Sequence, residues 1–107
     1  MEIKQLIYFR EVAQREHISE AALELEIAQS AISRQIANLE KELNTVLFLR
    51  EGRNVKLTER GELLLSYANQ ILDLVEETTE LFIHQDQTDK RAIRLAYTES
   101  YVAQALP

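Results

Sequence analysis

Polar and cationic side chains cluster in one acid-free stretch of this 107-residue chain. The chain carries 18 acidic against 12 basic residues and a net charge of −6, yet residues 27–39 contain no Asp or Glu. That stretch offers an amide, two hydroxyls and a guanidinium, on Gln29, Ser30, Ser33 and Arg34. Such groups hydrogen-bond base edges and phosphate oxygens. The stretch therefore predicts a surface compatible with a polyanion, although chance clustering of charge is the simpler alternative.

The apolar residues of the same region predict the element that positions these side chains. They recur at three- and four-residue steps, which is typical of one buried helical stripe, at Ile32, Ile36, Leu39 and Leu43. A helix from Gln29 to about Leu43 places the four polar residues away from that stripe. Asn44 can take the left-handed conformation after the helix. Ala28, by contrast, leaves its start without a side-chain cap.

Two earlier helices are predicted from the same kind of spacing. Residues 2–15 carry one apolar stripe, and Ser19 offers an N-cap for a short helix that contains Ala21, Ala22 and Leu25. A tight turn joins this short helix to the helix that begins at Gln29. Because the later helix has a polar outward face, the two predict a helix-turn-helix. We expect His17, between the first two helices, to serve a helix end rather than sense protons.

A basic hairpin is predicted after the third helix. Two short strands, 47–49 and 55–57, flank a turn over residues 50–54. The hairpin presents three cations, Arg50, Arg53 and Lys56. An exposed charged turn is the plainer interpretation, but the position after a helix-turn-helix favours a wing that contacts phosphates or the minor groove.

A long helix follows from Thr58, which we expect to cap it, to about residue 85. Apolar residues alternate at four- and three-residue steps in a heptad seam that includes Leu64, Ala68, Ile71, Val75 and Phe82. Packing on the same chain would cover this seam, but the short preceding domain offers little spare core. The pattern therefore favours pairing with the same helix of a second chain.

The polar residues 86–92 predict a hinge, and the alternation of apolar and polar residues over 93–97 predicts a strand at the start of a second, truncated domain at 93–107. The expected fold class is mainly α. We expect a winged helix-turn-helix domain at 1–58 and a dimerisation linker helix at 59–85.

Several function classes are excluded by composition. The chain has no Cys, and its two histidines show no ligand spacing, so neither a metal nor another cofactor is expected. No apolar run exceeds four residues and no signal peptide is visible, so we expect a cytoplasmic protein without a membrane segment. The sequence shows no nucleophile paired with a base, no pair of acidic residues in an apolar setting and no phosphate-binding Gly loop, so no enzyme is expected.

The motif positions together resemble the N-terminal region of LysR-type transcriptional regulators. The matching residues are Ala21-Ala22, Leu25, the run from Gln29 to Ile36, Leu39-Glu40, Leu43, Leu47-Phe48, Arg50, Leu57-Thr58 and Gly61. The resemblance implies a winged helix-turn-helix, a linker helix that pairs subunits into dimers or tetramers, and sequence-specific operator binding. It also implies control by a small-molecule effector through a C-terminal domain. Residues 93–107 are similar to the first strand and first helix of that α/β effector domain. The segments 15–22 and 27–30 are similar to the branch of this family that regulates glutamate synthase genes in Gram-positive bacteria.

Carried over by position, the resemblance implies three groups of site residues. The major groove would be contacted by Gln29, Ser30, Ser33 and Arg34, and the wing contacts would come from Arg50 and Arg53. Effector contacts would involve Thr98 and Ser100. The chain departs from the family pattern in having His17, Ala28, Ser30 and Asn44 where Ser, Ser, Pro and Gly are frequent.

A different function class remains open at this point. The acidic net charge would also suit a winged-helix module that binds another protein and no DNA. That alternative predicts no salt-dependent retention of DNA.

Overall fold

The computed structural model describes residues 1–84, in which four helices and one hairpin follow one another. In chain order they are α1 (Ile3–Arg15), α2 (Ile18–Leu25), α3 (Gln29–Leu43), β1 (Phe48–Glu51), β2 (Asn54–Leu57) and α4 (Glu59–Ile83). The predicted mainly-α fold with a small hairpin is confirmed. The segments 86–92 and 93–107, with Thr98 and Ser100, lie outside the described residues, so their predicted roles stay predictions.

The chain divides into two units, the first Met1–Leu72 and the second beginning at Asp73. The core of the first unit forms where α1 packs against α2, α3 and β2. Its largest fully buried side chains are Phe9, Leu6, Ile32, Leu39, Leu47, Val12 and Val55. The rings of Phe9 and Phe48 lie 5.3 Å apart at an angle of 51°, which brings the first strand onto α1. Within residues 1–84 no helix is both long and apolar enough to cross a membrane.

Helix α2 begins one residue before the predicted cap. His17 is the N-cap, and its Nδ1 accepts a hydrogen bond of 3.2 Å from the backbone N–H of Glu20. The prediction of Ser19 as the cap is therefore wrong, because His17 already satisfies that helix end and Ser19 lies inside the first turn. The expected helix-end role of His17 is confirmed.

Helix α3 has the predicted bounds. Ala28 contributes no side-chain cap, and Asn44 adopts the left-handed conformation with φ 53° and ψ 48°. The helix is held against α1 by Gln5, whose Nε2 donates a 3.2 Å hydrogen bond to Oε1 of Gln35. Because Gln5 is buried, this bond fixes how α3 sits on the domain.

The hairpin is tighter than predicted. Its strands extend into the expected five-residue turn, with Glu51 paired to Asn54, so the turn is reduced to Gly52 and Arg53. Gly52 has φ 64°, which a residue without a Cβ adopts at no steric cost. Arg50 consequently lies in β1 rather than in the turn.

Helix α4 starts as predicted but uses its apolar seam differently. Thr58 caps it, since its Oγ1 accepts a 2.9 Å hydrogen bond from the backbone N–H of Gly61. Ala68 is fully buried in the chain's own core, and Leu64 and Ile71 pack against that core. The prediction that Ala68 faces a second chain is wrong, because the same spacing serves packing within the chain.

The other two seam residues belong to the second unit and are exposed. Val75 has 38% and Phe82 has 69% of its surface accessible. They remain available to a partner.

Candidate nucleic-acid interface

The predicted polar face of α3 is present and accessible. Ile32, Ile36 and Leu39 are buried and fix the rotation of the helix. Gln29, Ser30 and Arg34 are therefore exposed and Ser33 is half-buried. All four predicted residues of this helix thus lie on one element with their polar groups accessible.

The two carboxylates of α3 itself are engaged elsewhere. Oε2 of Glu40 accepts hydrogen bonds from the backbone N–H groups of Leu47 at 2.8 Å and Phe48 at 3.3 Å. Glu42 pairs with the N-terminal ammonium of Met1. Within residues 1–84, Arg34 makes no salt bridge, so a pair with Glu40 or Glu42 is not formed. Its guanidinium keeps its donors for an external acceptor.

One member of the face is held by a neighbouring helix. Oγ of Ser19 on α2 donates a 2.9 Å hydrogen bond to Oε1 of Gln29, the first residue of α3. This contact was not predicted, because the sequence pattern indicated Ser19 as the cap of α2. The bond joins the two helices of the helix-turn-helix through side chains that both reach the surface.

The hairpin adds a second cationic feature. Arg50 in β1 and Arg53 in the turn are exposed, and neither makes a salt bridge within the described part of the chain. Two exposed guanidiniums on a short hairpin can bind phosphate oxygens or enter a minor groove.

Several backbone contacts fix the hairpin to the domain. The backbone N–H of Val55 donates to O of Glu16 at 3.0 Å, and that of Thr58 donates to O of Leu47 at 2.9 Å. The Glu40 carboxylate ties α3 to the residues that enter β1. The anchoring role of Glu40 could not be predicted from the sequence, because its hydrogen bonds join residues that come together only on folding.

Gly61 lets α4 approach the start of the hairpin closely. A Cβ at this position would lie 2.2 Å from O of Leu47 and 2.8 Å from Cδ2 of Leu57. Such distances are below any tolerable contact, so only glycine allows the observed spacing. Gly61 therefore sets the geometry between the hairpin and α4.

A cation on α1 is neutralised by acids. Arg15 pairs with Glu11 through Nε and with Oε1 of Glu24 through Nη2 at 3.1 Å. The hydrogen bond to Glu11 raises the pKa of the Arg15 guanidinium above its ordinary value. This cation of α1 is thus paired, whereas Arg34, Arg50 and Arg53 make no salt bridge within residues 1–84.

Binding of a metal ion requires several side chains that together supply its ligands. Among residues 1–84 no group of three His, Asp or Glu side chains could hold an ion. The arrangement can donate hydrogen bonds and attract anions, which is the chemistry of recognition.

Comparison with known proteins gives a consistent match. Residues 3–62 match the profile of the bacterial regulatory helix-turn-helix protein, lysR family. The transcriptional dual regulator GltC of Bacillus subtilis (strain 168) is 47% identical over 107 residues, which is 100% of this chain and 36% of GltC. This chain thus spans about a third of the length of that relative.

Two solved structures have the same fold. A crystal structure of the BenM DNA-binding domain in complex with benA site 1 DNA has a TM-score of 0.73 and 39% identity, covering 77% of this chain and 95% of that one. A complex of the CbnR DNA-binding domain with DNA has a TM-score of 0.71 and 38% identity, covering 73% of this chain and 90% of that one. Both likenesses lie in chains that were crystallised with DNA.

Proposed function

This chain belongs to the LysR family of bacterial regulatory helix-turn-helix proteins, and we propose from that premise that it binds operator DNA in a sequence-specific manner. It would be the DNA-binding part of a transcription regulator. The observation that carries the proposal is the outer face of the first three turns of α3, residues 29–39, which is accessible, polar and free of carboxylates in a chain of net charge −6. No enzymatic activity is proposed, since the matched relative is a regulator.

Helix α3 would enter the major groove. Small hydroxyl side chains at Ser30 and Ser33 allow close approach to a duplex, and the amide of Gln29 can hydrogen-bond a base edge. Arg34 would contact guanine or a phosphate. This role is supported by the donors of the Arg34 guanidinium, which are free within residues 1–84. Glu40 binds the backbone that enters the hairpin and Glu42 binds the N-terminus, so neither acid pairs with Arg34.

The hairpin would contact the DNA backbone beside that groove. Arg50 and Arg53 are exposed cations on a hairpin that backbone hydrogen bonds and Glu40 fix to the domain. A fixed cation loses less entropy on binding a phosphate than a mobile one. These residues would supply affinity for any sequence, whereas α3 would supply the preference.

Two copies would bind together through the linker helix. One recognition helix covers too few base pairs for useful affinity, and pairing raises the effective concentration of the second. Val75 and Phe82 are the predicted dimer residues that remain exposed for such pairing, while Leu64 and Ile71 are half-buried against the core. We propose dimers, with tetramers as the higher assembly.

Control by a small molecule is proposed for the part of the protein beyond the described residues. GltC is longer than this chain, which covers 36% of it. The division into a DNA-binding domain at 1–58, a linker helix at 59–85, a hinge at 86–92 and an effector domain from 93 is our proposal. Thr98 and Ser100 would then contact the effector.

Titration against DNA tests the proposal. The chain is incubated with a randomised duplex library, bound duplexes are sequenced, and affinity for a selected and a random duplex is measured from 50 to 200 mM salt. We expect a sharp sequence preference and an affinity that falls as salt rises. Arg34→Ala should weaken binding, whereas Lys4→Ala, which removes an exposed cation of α1, should not. A chain that retains no DNA at low salt would favour the protein-interaction module instead.

A further inference from the structure

Sequence-specific DNA binding does not by itself explain the hydrogen bond between Ser19 on α2 and Gln29 on the outer face of α3. It spans the turn between α2 and α3, with Oγ of Ser19 2.9 Å from Oε1 of Gln29. Both side chains reach solvent, so the bond adds little to a core. Its location at the first residue of the recognition helix gives it a place in DNA binding.

The proton count of the two groups restricts what each can do. A serine hydroxyl has one proton to donate, and here Gln29 Oε1 accepts it. The carboxamide is thereby held in one orientation. Its Nε2 keeps both protons, and it makes no hydrogen bond to another of residues 1–84.

We propose that Ser19 is a positioning residue that sets the base preference of this chain by fixing the Gln29 carboxamide with Nε2 toward the duplex. The base read at this position would offer an acceptor in the major groove, namely a purine N7, guanine O6 or thymine O4. The inference rests on the proposed DNA binding and adds a specificity-determining residue to it.

A phosphate contact by Ser19 is the competing role, and the same proton separates the two. A phosphate oxygen accepts but does not donate at neutral pH, so a hydroxyl that donates to Gln29 has no proton left for it. Loss of a phosphate contact would weaken all sequences alike. Loss of the positioning bond instead releases the amide to turn, which weakens the preference at one base pair and leaves the rest of the profile intact.

The test compares sequence profiles of variants of the full chain. Wild type, Ser19→Ala, Ser19→Thr and Gln29→Ala are each profiled against the same randomised duplex library. Ser66→Ala, which removes an exposed hydroxyl on α4, is the matched control. Thermal unfolding by circular dichroism accompanies each variant, so that a change in folding is seen separately from a change in preference.

The expected result is local to one position of the profile. Gln29→Ala removes the preference at one base pair, and Ser19→Ala lowers the preference at that same pair by about three- to tenfold, the usual worth of one hydrogen bond. Ser19→Thr keeps the hydroxyl and therefore retains the wild-type preference at that pair. Ser66→Ala gives the same profile as wild type. Substituting a 7-deazapurine at a preferred purine lowers wild-type binding more than that of Ser19→Ala.

Two results would overturn the inference in different ways. A sharp wild-type profile that Ser19→Ala leaves unchanged, or weakens equally at every position, removes Ser19 from base positioning while the proposed function stands. A wild-type profile with no preference at all overturns the proposed function, and the inference with it.

Discussion

Replacing Gly61 by alanine tests how closely α4 must approach the hairpin. The added Cβ would lie 2.2 Å from O of Leu47 and 3.2 Å from its carbonyl carbon. This oxygen belongs to the backbone and accepts a 2.9 Å hydrogen bond from the N–H of Thr58. It cannot move aside without disturbing that bond, so the start of α4 must shift away from β1.

The change in unfolding free energy follows from two costs and one gain. An ordinary carbon–oxygen separation of about 3.3 Å requires a shift of about 1 Å. Overpacking of this kind costs about 1–3 kcal/mol, and weakening the two hydrogen bonds that Thr58 makes to Leu47 and Val46 costs about 1 kcal/mol each. The alanine returns about 1 kcal/mol of helix propensity. The net destabilisation is therefore about 2–4 kcal/mol, or roughly 10–30 °C in Tm.

Urea and thermal unfolding of the chain, followed by circular dichroism, measure this cost. Gly52→Ala is the matched control, because a Cβ there meets nothing within 4 Å and is opposed only by φ 64°. That strain costs about 1 kcal/mol. A Gly61→Ala chain as stable as wild type, or more stable than Gly52→Ala, would refute the reasoning, because helix propensity would then outweigh the contact.

Substitutions at three further positions test the DNA contacts, the anchoring of the hairpin and the dimer interface. Arg53→Ala should weaken binding to selected and random duplexes alike and reduce the slope of log affinity against log salt by about one; an unchanged slope would remove Arg53 from the phosphate contacts. Glu40→Ala should destabilise the chain by about 2 kcal/mol in urea unfolding, because it leaves the N–H of buried Leu47 without its acceptor. Glu40→Gln should recover part of that loss, and equal losses would contradict the acceptor role. Phe82→Glu should shift sedimentation from dimer to monomer without lowering Tm, since Phe82 is 69% exposed; a mutant that stays dimeric would place the interface elsewhere.

The helices were predictable wherever the signal is local. The bounds of α3 follow from its apolar spacing and from Asn44, whose left-handed conformation ends the helix. Thr58 likewise caps α4 as expected, because a capping hydroxyl needs only the next three residues. The hairpin was located correctly, but its turn was predicted three residues too long, since strand pairing across Glu51 and Asn54 depends on the register and not on composition.

The features that were missed depend on residues brought together by folding. The spacing of Ala68 and Ile71 fits a partner helix as well as the chain's own core, and only packing decides between them. The contacts of Glu40 with Leu47 and of Ser19 with Gln29 join different elements. A sequence signal did exist for Gly61, because an isolated glycine in a helical pattern indicates close approach of another backbone.

The candidate surface was the most predictable part of the site. An acid-free stretch on one helix face is visible without coordinates, and the structure leaves those side chains accessible. The sequence could not indicate that two acids of α3 bind other groups and form no salt bridge with Arg34. That depends on Glu40 reaching the hairpin backbone and Glu42 reaching the N-terminus.

A crystal structure of the chain with a duplex selected from the randomised library tests the central claim most directly. We expect α3 to lie in the major groove, with Gln29 and Arg34 within hydrogen-bonding distance of base edges or phosphates and Arg53 beside the DNA backbone. A complex in which the outer face of α3 points to solvent, while another surface of the chain contacts the duplex, would contradict it.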